Sequence, residues 1–549
     1  MPDGEKTYRC GTLTYTTRGL VLLFAWMLWG DFCFSLMESV VPSVLPLKLQ
    51  NLHSNNALIG FIMTTLPAVF NLTITPAVSF KSDRHRGRWG RRLPFILATM
   101  PFLTLSLLLI GFSDPLGKWL YGRFFAGGAA GETQVVIVLL AVFAALFDLF
   151  NMFVNTVYWY LFNDVVPHEW MGRFMGWFRV VGTLSTMLYN FFIFQFALSH
   201  MQFIFLGAAL LYFFGFGLMC LRVKEGEYPK PEGEGPPPGF LEGLARDVRL
   251  FARECFTSRY YWYIFLTYSF SVFAGCISVF GIFGARSMGL SLDQIGKMAA
   301  IGAFTTPICF LFAGAFVDRW HSVRVAAYIA AFGVFCTESG GWIWLLVDKP
   351  SPLLFFWLSA TAGTLFAPVG ALNDTAGMTR LMMLLPLDRF GEFSGAMCLV
   401  RAVAIILGGV SAGAFIDHFG RHFFPSGDFV YRLNFLWFAP FSAIAFYFHY
   451  KTYRVWKRLG GKAYAAPSAD FQVSTLRPYP GDDGRVNRSI LWVIGVSFAG
   501  SQVAGPVWIW YYLFQERNTH YAAWFAISSV INCSLFLVYL RFIKFMERP

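Results

Sequence analysis

The sequence predicts an all-α polytopic membrane protein: two six-helix bundles followed by two extra C-terminal transmembrane helices. Three observations carry that expectation. The first is composition. Of 549 residues, 56% are hydrophobic, 19% aromatic and only 13% charged, where soluble domains carry roughly 25% charged residues. So little charge cannot coat a water-soluble fold. That excludes a soluble enzyme, a nucleic-acid-binding domain and a disordered scaffold. The second is a series of apolar runs near the roughly 20 residues that a helix needs to cross a bilayer. The third is an internal repeat relating the second six runs to the first six.

In chain order the runs fall near 19–45, 57–80, 94–112, 133–162, 175–198 and 202–221, which make the first bundle, residues 1–221. A cytoplasmic linker, 222–258, follows. Its stretch EGEYPKPEGEGPPPGF (225–240) reads as an extended tether. Leu241, Leu244, Val248 and Phe251 then recur at helical spacing among Glu242, Arg246, Arg249 and Arg253, the pattern of a helix lying on the membrane surface. The second bundle, 259–450, holds runs near 259–284, 298–317, 325–347, 352–380, 396–416 and 433–450. A cytoplasmic loop, 451–488, leads to the two additional spans in 489–549, near 489–512 and 521–541.

The repeat appears at two places. VPHEWMGRFMG (166–176) aligns with LPLDRFGEFSG (385–395) at an offset of 219, and the same offset sets Asn155-Thr156 on Asp374-Thr375. SDRHRGRWGRR (82–92) follows the second span and VDRWHSVR (317–324) the eighth. Paired halves with matching inner loops characterise duplicated transporters, whose sites lie near the midplane. The formal charge of +12 reflects topology rather than an acidic partner. With the N-terminus inside, only nine of the 43 Lys and Arg fall in outer loops, which places both termini in the cytoplasm of an inner or plasma membrane. The nine cysteines are scattered without a CxxC or His/Cys cluster, so neither a disulfide framework nor a metal site is expected. The first apolar run is too long, and too acidic, for a signal peptide.

An ionisable group at mid-bilayer costs about 2.5–3.5 kcal/mol on insertion scales, so each is expected to face a cavity or a partner. Asp31 and Glu38 are seven apart, on one face of the first span. Asp148, Asn151 and Asn155 form a polar stripe in the fourth, with Arg179 in the fifth as the nearest candidate cation. Asp374 sits in the tenth span and Arg401 in the eleventh. Carboxylates and amides of this kind suit a polyhydroxylated solute, because they exchange hydrogen bonds with vicinal hydroxyls while aromatic faces cover the apolar side of a sugar ring.

The run Asp83-Arg84 followed by Gly90-Arg91-Arg92 resembles the loop between the second and third helices of major facilitator transporters. The resemblance implies that fold, and it implies that Asp83, Arg84, Gly90 and Arg91 latch an inner gate, with Asp318 and Arg319 as their repeat. Continuation into Pro94-Phe95 is closer to plant sucrose/proton symporters and to the glycoside–pentoside–hexuronide:cation symporters. Gly30-Asp31-Phe32 resembles the motif of the melibiose-carrier branch whose Asp contacts sugar. Leu146-Phe147-Asp148-Leu149-Phe150-Asn151 resembles the sucrose-symporter motif whose Asp accepts the proton. Arg179 matches a sugar-contacting Arg, and Arg401 roughly matches a basic residue of the eleventh helix. Sodium-coupled relatives carry two Asp where this chain has Asn71 and Thr75, which makes sodium the weaker expectation and the proton the coupling ion.

The expected function is secondary transport of a sugar or glycoside by alternating access, with no cofactor. The alternatives are a facilitator that exports another solute and a non-transporting sensor or scaffold. The sequence sets neither an oligomeric state nor the role of the last two helices. Single cysteines near Lys118 in a cysteine-free background should react with an impermeant maleimide only from outside the cell; reaction only from inside would reverse the topology.

Overall fold

A computed structural model describes residues 7–10, 12–84, 87, 89–125, 131–167, 170–226, 256–338, 342–346, 351–386, 390–424, 430–464 and 486–548. The tether beyond 226 and the amphipathic pattern at 241–253 lie outside them, as do the centres of the two repeat loops, 168–169 and 387–389. The long helices are α1 (Thr17–Asn51), α2 (Leu66–Arg84), α3 (Leu93–Gly111), α4 (Glu132–Val165), α5 (Met171–Leu188), α6 (Met201–Arg222) and α7 (Arg259–Ser287). After them come α8 (Leu292–Trp320), α9 (Ser322–Phe332), α10 (Pro352–Leu384), α11 (Phe390–Phe423), α12 (Asn434–Arg458), α13 (Arg488–Trp510) and α14 (Thr519–Met546).

Among the described residues, 11 helices are long and apolar enough to cross a membrane. The expected spans at 175–198, 325–347 and 433–450 coincide with α5, α9 and α12, which are not among those 11. The reason is visible in each. Polar Arg173, Arg179, Thr183 and Ser185 dilute α5, α9 is short, and α12 runs on into Lys451, Arg454 and Lys457. One element is unforeseen. Thr7–Cys10 and Leu13–Thr16 pair as an antiparallel hairpin, β1 and β2. Alternating Thr and Tyr around Gly11 is the signal for it. The thiol of Cys10 packs it on the end of α4, donating to the carbonyls of Asp164 and Val166 at 3.5 Å.

The chain divides into two compact units, Met1–Gly235 with Ser291–Ala300, and Pro236–Leu290 with Ile301–Pro549. In the first, α1 is the axis. The Trp29 indole donates to the Gly215 carbonyl of α6 at 3.1 Å. A Cβ on Gly30 would lie 2.8 Å from Met219, and one on Gly215 would lie 2.6 Å from the Cys33 sulfur, so the two glycines set how closely α1 and α6 approach. Tyr158 of α4 donates to the Met27 carbonyl at 3.2 Å, and Ser185 of α5 to the Phe32 carbonyl at 2.9 Å. These bonds hold three helices to α1 where no water competes.

The second unit repeats the arrangement of first helix against sixth. The Trp437 indole of α12 donates to the Phe273 carbonyl of α7 at 3.2 Å. Helices α13 and α14 bury Ile490, Ile494, Phe498, Tyr539 and Ile543 in the same core as Tyr328 and Phe332 of α9, while Val503, Val530 and Leu537 are exposed, as befits side chains that meet lipid. The end of α14 is tied down by Glu547, which is fully buried. It accepts hydrogen bonds from the Tyr328 and Tyr453 hydroxyls at 2.7 and 2.6 Å and pairs with Lys457 at 3.2 Å and Arg324 at 3.4 Å. Removing one partner of a buried charge network typically costs about 3–5 kcal/mol. Glu547→Ala should therefore lower the thermal midpoint of the detergent-purified protein by several degrees, with Glu547→Gln intermediate; scanning fluorimetry checks this.

Candidate functional site

Two carboxylates on α1 organise a polar patch inside the first unit. Asp31 is buried; its Oδ1 accepts from the Ser35 hydroxyl at 3.3 Å, and its Oδ2 is enclosed without a hydrogen-bond partner among the described residues. Across from it α5 presents Gly182, where a Cβ would lie 3.5 Å from Asp31 Oδ2 and 3.3 Å from Ser35 Oγ. One turn further on α5, the Thr186 and Ser39 hydroxyls are 3.1 Å apart. One turn before Gly182 comes Arg179, exposed, whose charge acts on Asp31. Two turns along α1, Glu38 Oε1 accepts from the Asn151 amide at 3.2 Å and the Asn155 amide at 3.4 Å. Asn151 Oδ1 is enclosed with no hydrogen-bond partner among the described residues.

Asn151 and Asn155 direct their amides to Glu38, and the charges of Glu38 and Arg179 both act on Asp31. Asp148 stands one turn before Asn151, half-buried, and makes no hydrogen bond or ion pair among the described residues. Glu38 is the site residue that spacing alone leaves underweighted. Its position seven after Asp31 was the signal; its partners lie more than a hundred residues away.

In the second unit Asp374 and Arg401 are both exposed, and Arg401 forms no ion pair among the described residues. Sequence reasoning missed a buried cluster nearby. Arg380 of α10 meets the His449 ring of α12 at 2.9 Å, bonds the Tyr268 hydroxyl at 3.2 Å and stacks on that ring at 4.7 Å. Tyr268 in turn donates to the Gly377 carbonyl at 2.9 Å. Arg380 sits near a helix end, where a cation is unremarkable in sequence.

A second polar assembly forms at the N-terminus of α3. Asp83 and Arg84 close α2, and their side chains lie outside the described residues. Gly90 has φ of 101°, and a Cβ there would fall 2.6 Å from the Glu225 side chain, so glycine is required twice over. Beyond it the Glu225 carboxylate accepts from the backbone N–H groups of Arg91, Arg92 and Leu93 at 2.8, 2.9 and 2.6 Å. It thereby satisfies orphan donors at the start of the helix and places an anion at the positive end of its dipole. Burial pushes the Glu225 carboxyl up from its ordinary value, against these three bonds, which hold it down. Residue 225 is thus an anchor where a tether was expected. Arg91 Nε donates to Asp164 at 2.8 Å, and Arg92 Nε to the same carboxylate at 3.2 Å.

The loop after α8 differs. Asp318 and Arg319 are exposed and pair with no described residue. His321 adopts φ of 74°, a strained conformation for a non-glycine residue. Burial, reinforced by Arg324 and Lys462, holds its imidazole down at about 4, so the ring is neutral near pH 7. Losing a helix-capping side chain costs about 0.5–2 kcal/mol, so Glu225→Ala should speed hydrogen exchange at the amides of 91–93 by roughly tenfold. Unchanged exchange there would remove the capping role.

Comparison with known proteins adds three findings. The family described as Major Facilitator Superfamily matches residues 27–408. Two rice (Oryza sativa) proteins align over part of the chain: the sucrose transport protein SUT4 at 35% identity over 118 residues, and the sucrose transport protein SUT1 at 35% over 75. The first match takes in 21% of this chain and 19% of its relative, the second 14% of each, so the chain aligns with under a fifth of either relative's length. Solved structures resemble it far more extensively in fold. A D-xylose–proton symporter superposes with a TM-score of 0.55 at 12% identity, covering 82% of this chain and 99% of that one. The nucleoside transporter NupG gives 0.55 at 14%, covering 78% and 99%.

Proposed function

Because the chain belongs to the major facilitator superfamily, and is therefore a membrane transporter rather than an enzyme, we propose that it carries a sugar or glycoside by alternating access, coupled to protons. The observation that carries this reading is a shortage of donors. Asp31 Oδ2 and Asn151 Oδ1 are enclosed acceptors without partners among the described residues, set in helices where water is scarce and an unmet polar atom is costly. Sugar hydroxyls and protons are donors. Names of the relatives support the solute class: two are sucrose transport proteins, and one structural neighbour is a xylose–proton symporter.

In this reading Asp31, Asn151, Asn155 and Arg179 contact the sugar, with Glu38 orienting the two amides. Asp374 joins them as the repeat counterpart of Asn155, and Arg401 as the basic residue of the helix that repeats α5. Asp148 takes the proton, since it has no competing ion pair to hold it charged. Protonated and ionised Asp148 must favour different conformations, because a ligand shifts an equilibrium only through differential affinity. Sodium is the weaker coupling ion, for Asn71 and Thr75 bring no charge. Gly90, Arg91, Asp83 and Arg84, with Asp318 and Arg319, act as inner latches, and both termini lie in the cytoplasm.

Proteoliposomes with an imposed pH gradient and no sodium test the proposal. Asp148→Asn should retain sugar exchange and lose gradient-driven accumulation. Accumulation surviving in that variant would free Asp148 of coupling, and sodium-dependent uptake in the unmutated protein would overturn proton coupling. Hydrogen bonds to a charged group contribute about 1.5–3 kcal/mol, so Glu38→Gln should weaken sugar binding at least tenfold in equilibrium binding while leaving thermal stability near that of the parent.

A further inference from the structure

A cavity of about 260 Å³ lies among α9, α10, α13 and α14, inside the second unit and lined largely by helices beyond the family match at 27–408. Five aromatic rings line it: Phe332, Phe366, Phe498, Trp508 and Phe525. Its polar lining comes from α13, where Ser501 donates to the Phe498 carbonyl at 2.6 Å and Gln502 to the Ser501 hydroxyl at 3.5 Å, and from a single turn of α14 that carries Ser528, Ser529 and Asn532. None of these three side chains has a hydrogen-bond partner among the described residues, and Asn532 Oδ1 is enclosed. Other hydroxyls in the spans bond back to the carbonyl one turn earlier, Ser534 to Val530 at 2.9 Å and Thr267 to Tyr263 at 2.7 Å among them. Beside Ser529, a Cβ on Gly505 would lie 2.7 Å from its Oγ, so glycine at 505 makes room for that hydroxyl.

We propose that this cavity binds a membrane lipid of sterol type, a compact apolar ring system ending in one hydroxyl. Its walls are membrane-spanning helices, so an occupant arrives from the bilayer. The aromatic faces suit a rigid apolar body. Asn532 Oδ1 needs a donor, and Ser528 and Ser529 offer donors in return, which a hydroxyl satisfies from both directions. An acyl chain meets the rings and leaves the polar edge unpaired. The volume is just below the roughly 300–1,000 Å³ of drug-sized sites, so the pocket takes the hydroxyl-bearing rings and leaves the tail in lipid. Site and ligand are independent of the transport reading above.

The test uses full-length protein in nanodiscs with a photoreactive cholesterol, the labelled peptides being mapped by mass spectrometry. Labelling should be saturable, concentrate in 498–508 and 525–532, and be competed by cholesterol at least tenfold better than by cholesterol methyl ether, which lacks the hydroxyl donor, or by diacylglycerol. Asn532→Leu should abolish the preference for the free hydroxyl. Ala362→Phe, which fills the cavity from α10, should abolish the labelling, with circular dichroism confirming that each variant is folded. Labelling spread over all lipid-facing spans, equal competition by the methyl ether or by diacylglycerol, or labelling unchanged in folded Ala362→Phe would overturn the proposal.

Discussion

Helix α1 carries two carboxylates through an apolar helix, and the first unit is built to accommodate them. Both sit within a span where water cannot complete their hydrogen bonds. Gly182 leaves α5 without a side chain opposite Asp31, Ser35 supplies one hydroxyl, and α4 turns two amides to Glu38. The same helix is clamped on its other faces: its own Trp29 indole donates to the Gly215 carbonyl, and the Tyr158 phenol and Ser185 hydroxyl donate to its backbone carbonyls. Rigidity around α1 and incomplete satisfaction within its acidic patch are therefore two sides of one arrangement. Within the patch, Asp31 Oδ2 and Asn151 Oδ1 are the acceptors without a partner among the described residues.

The loops before α3 and α9 solve a shared problem with different parts. Each is short and leads into a third helix, with a residue of positive φ close to the helix start: Gly90 in one, His321 in the other. Each gathers Arg there, Arg91 and Arg92 in the first unit and Arg324 in the second. In the first unit the acids are Asp164 at the end of α4 and Glu225 just after α6. In the second, the buried acid is Glu547, at the end of α14. The two added helices thus return an acid to the place where the repeat concentrates positive charge. Their contribution to the second unit is electrostatic as well as apolar.

Buried polar side chains in this protein fall into two kinds. Some sit in networks: Glu547 gathers two phenols and two cations, and Arg380 uses His449, Tyr268 and that ring's face. Such networks stabilise a single packing, because breaking any one contact strands a charge. Others lack a hydrogen-bond partner among the described residues, Asp31 and Asn151 in the first unit and Asn532 in the second among them. These three belong to the acid-bearing patch of α1 and to the aromatic cavity of the last helices. The contrast lies in chemistry as well as place, charged and hydrophilic in one, neutral and aromatic in the other.

By itself the sequence determined the mostly helical membrane class and marked the polar positions of α1, α4 and α5. These rest on period and hydropathy, which are local: a carboxylate in an apolar run is conspicuous wherever it points, and residues three, four or seven apart share a face in any helix. It also marked Gly90 and Arg91 through a motif. Tertiary structure alone decided the partners. Asn151 and Asn155 serve Glu38 across more than a hundred residues, and Arg179 acts on Asp31. Asp164, Glu225, Arg380 and Glu547 were illegible because each lies near a helix end or in a loop, where charge is ordinary until packing encloses it. The cavity lined by Ser528, Ser529 and Asn532 was equally hidden. Whether a serine bonds to its own helix or faces a pocket depends on which helices surround it, and linear spacing does not encode that.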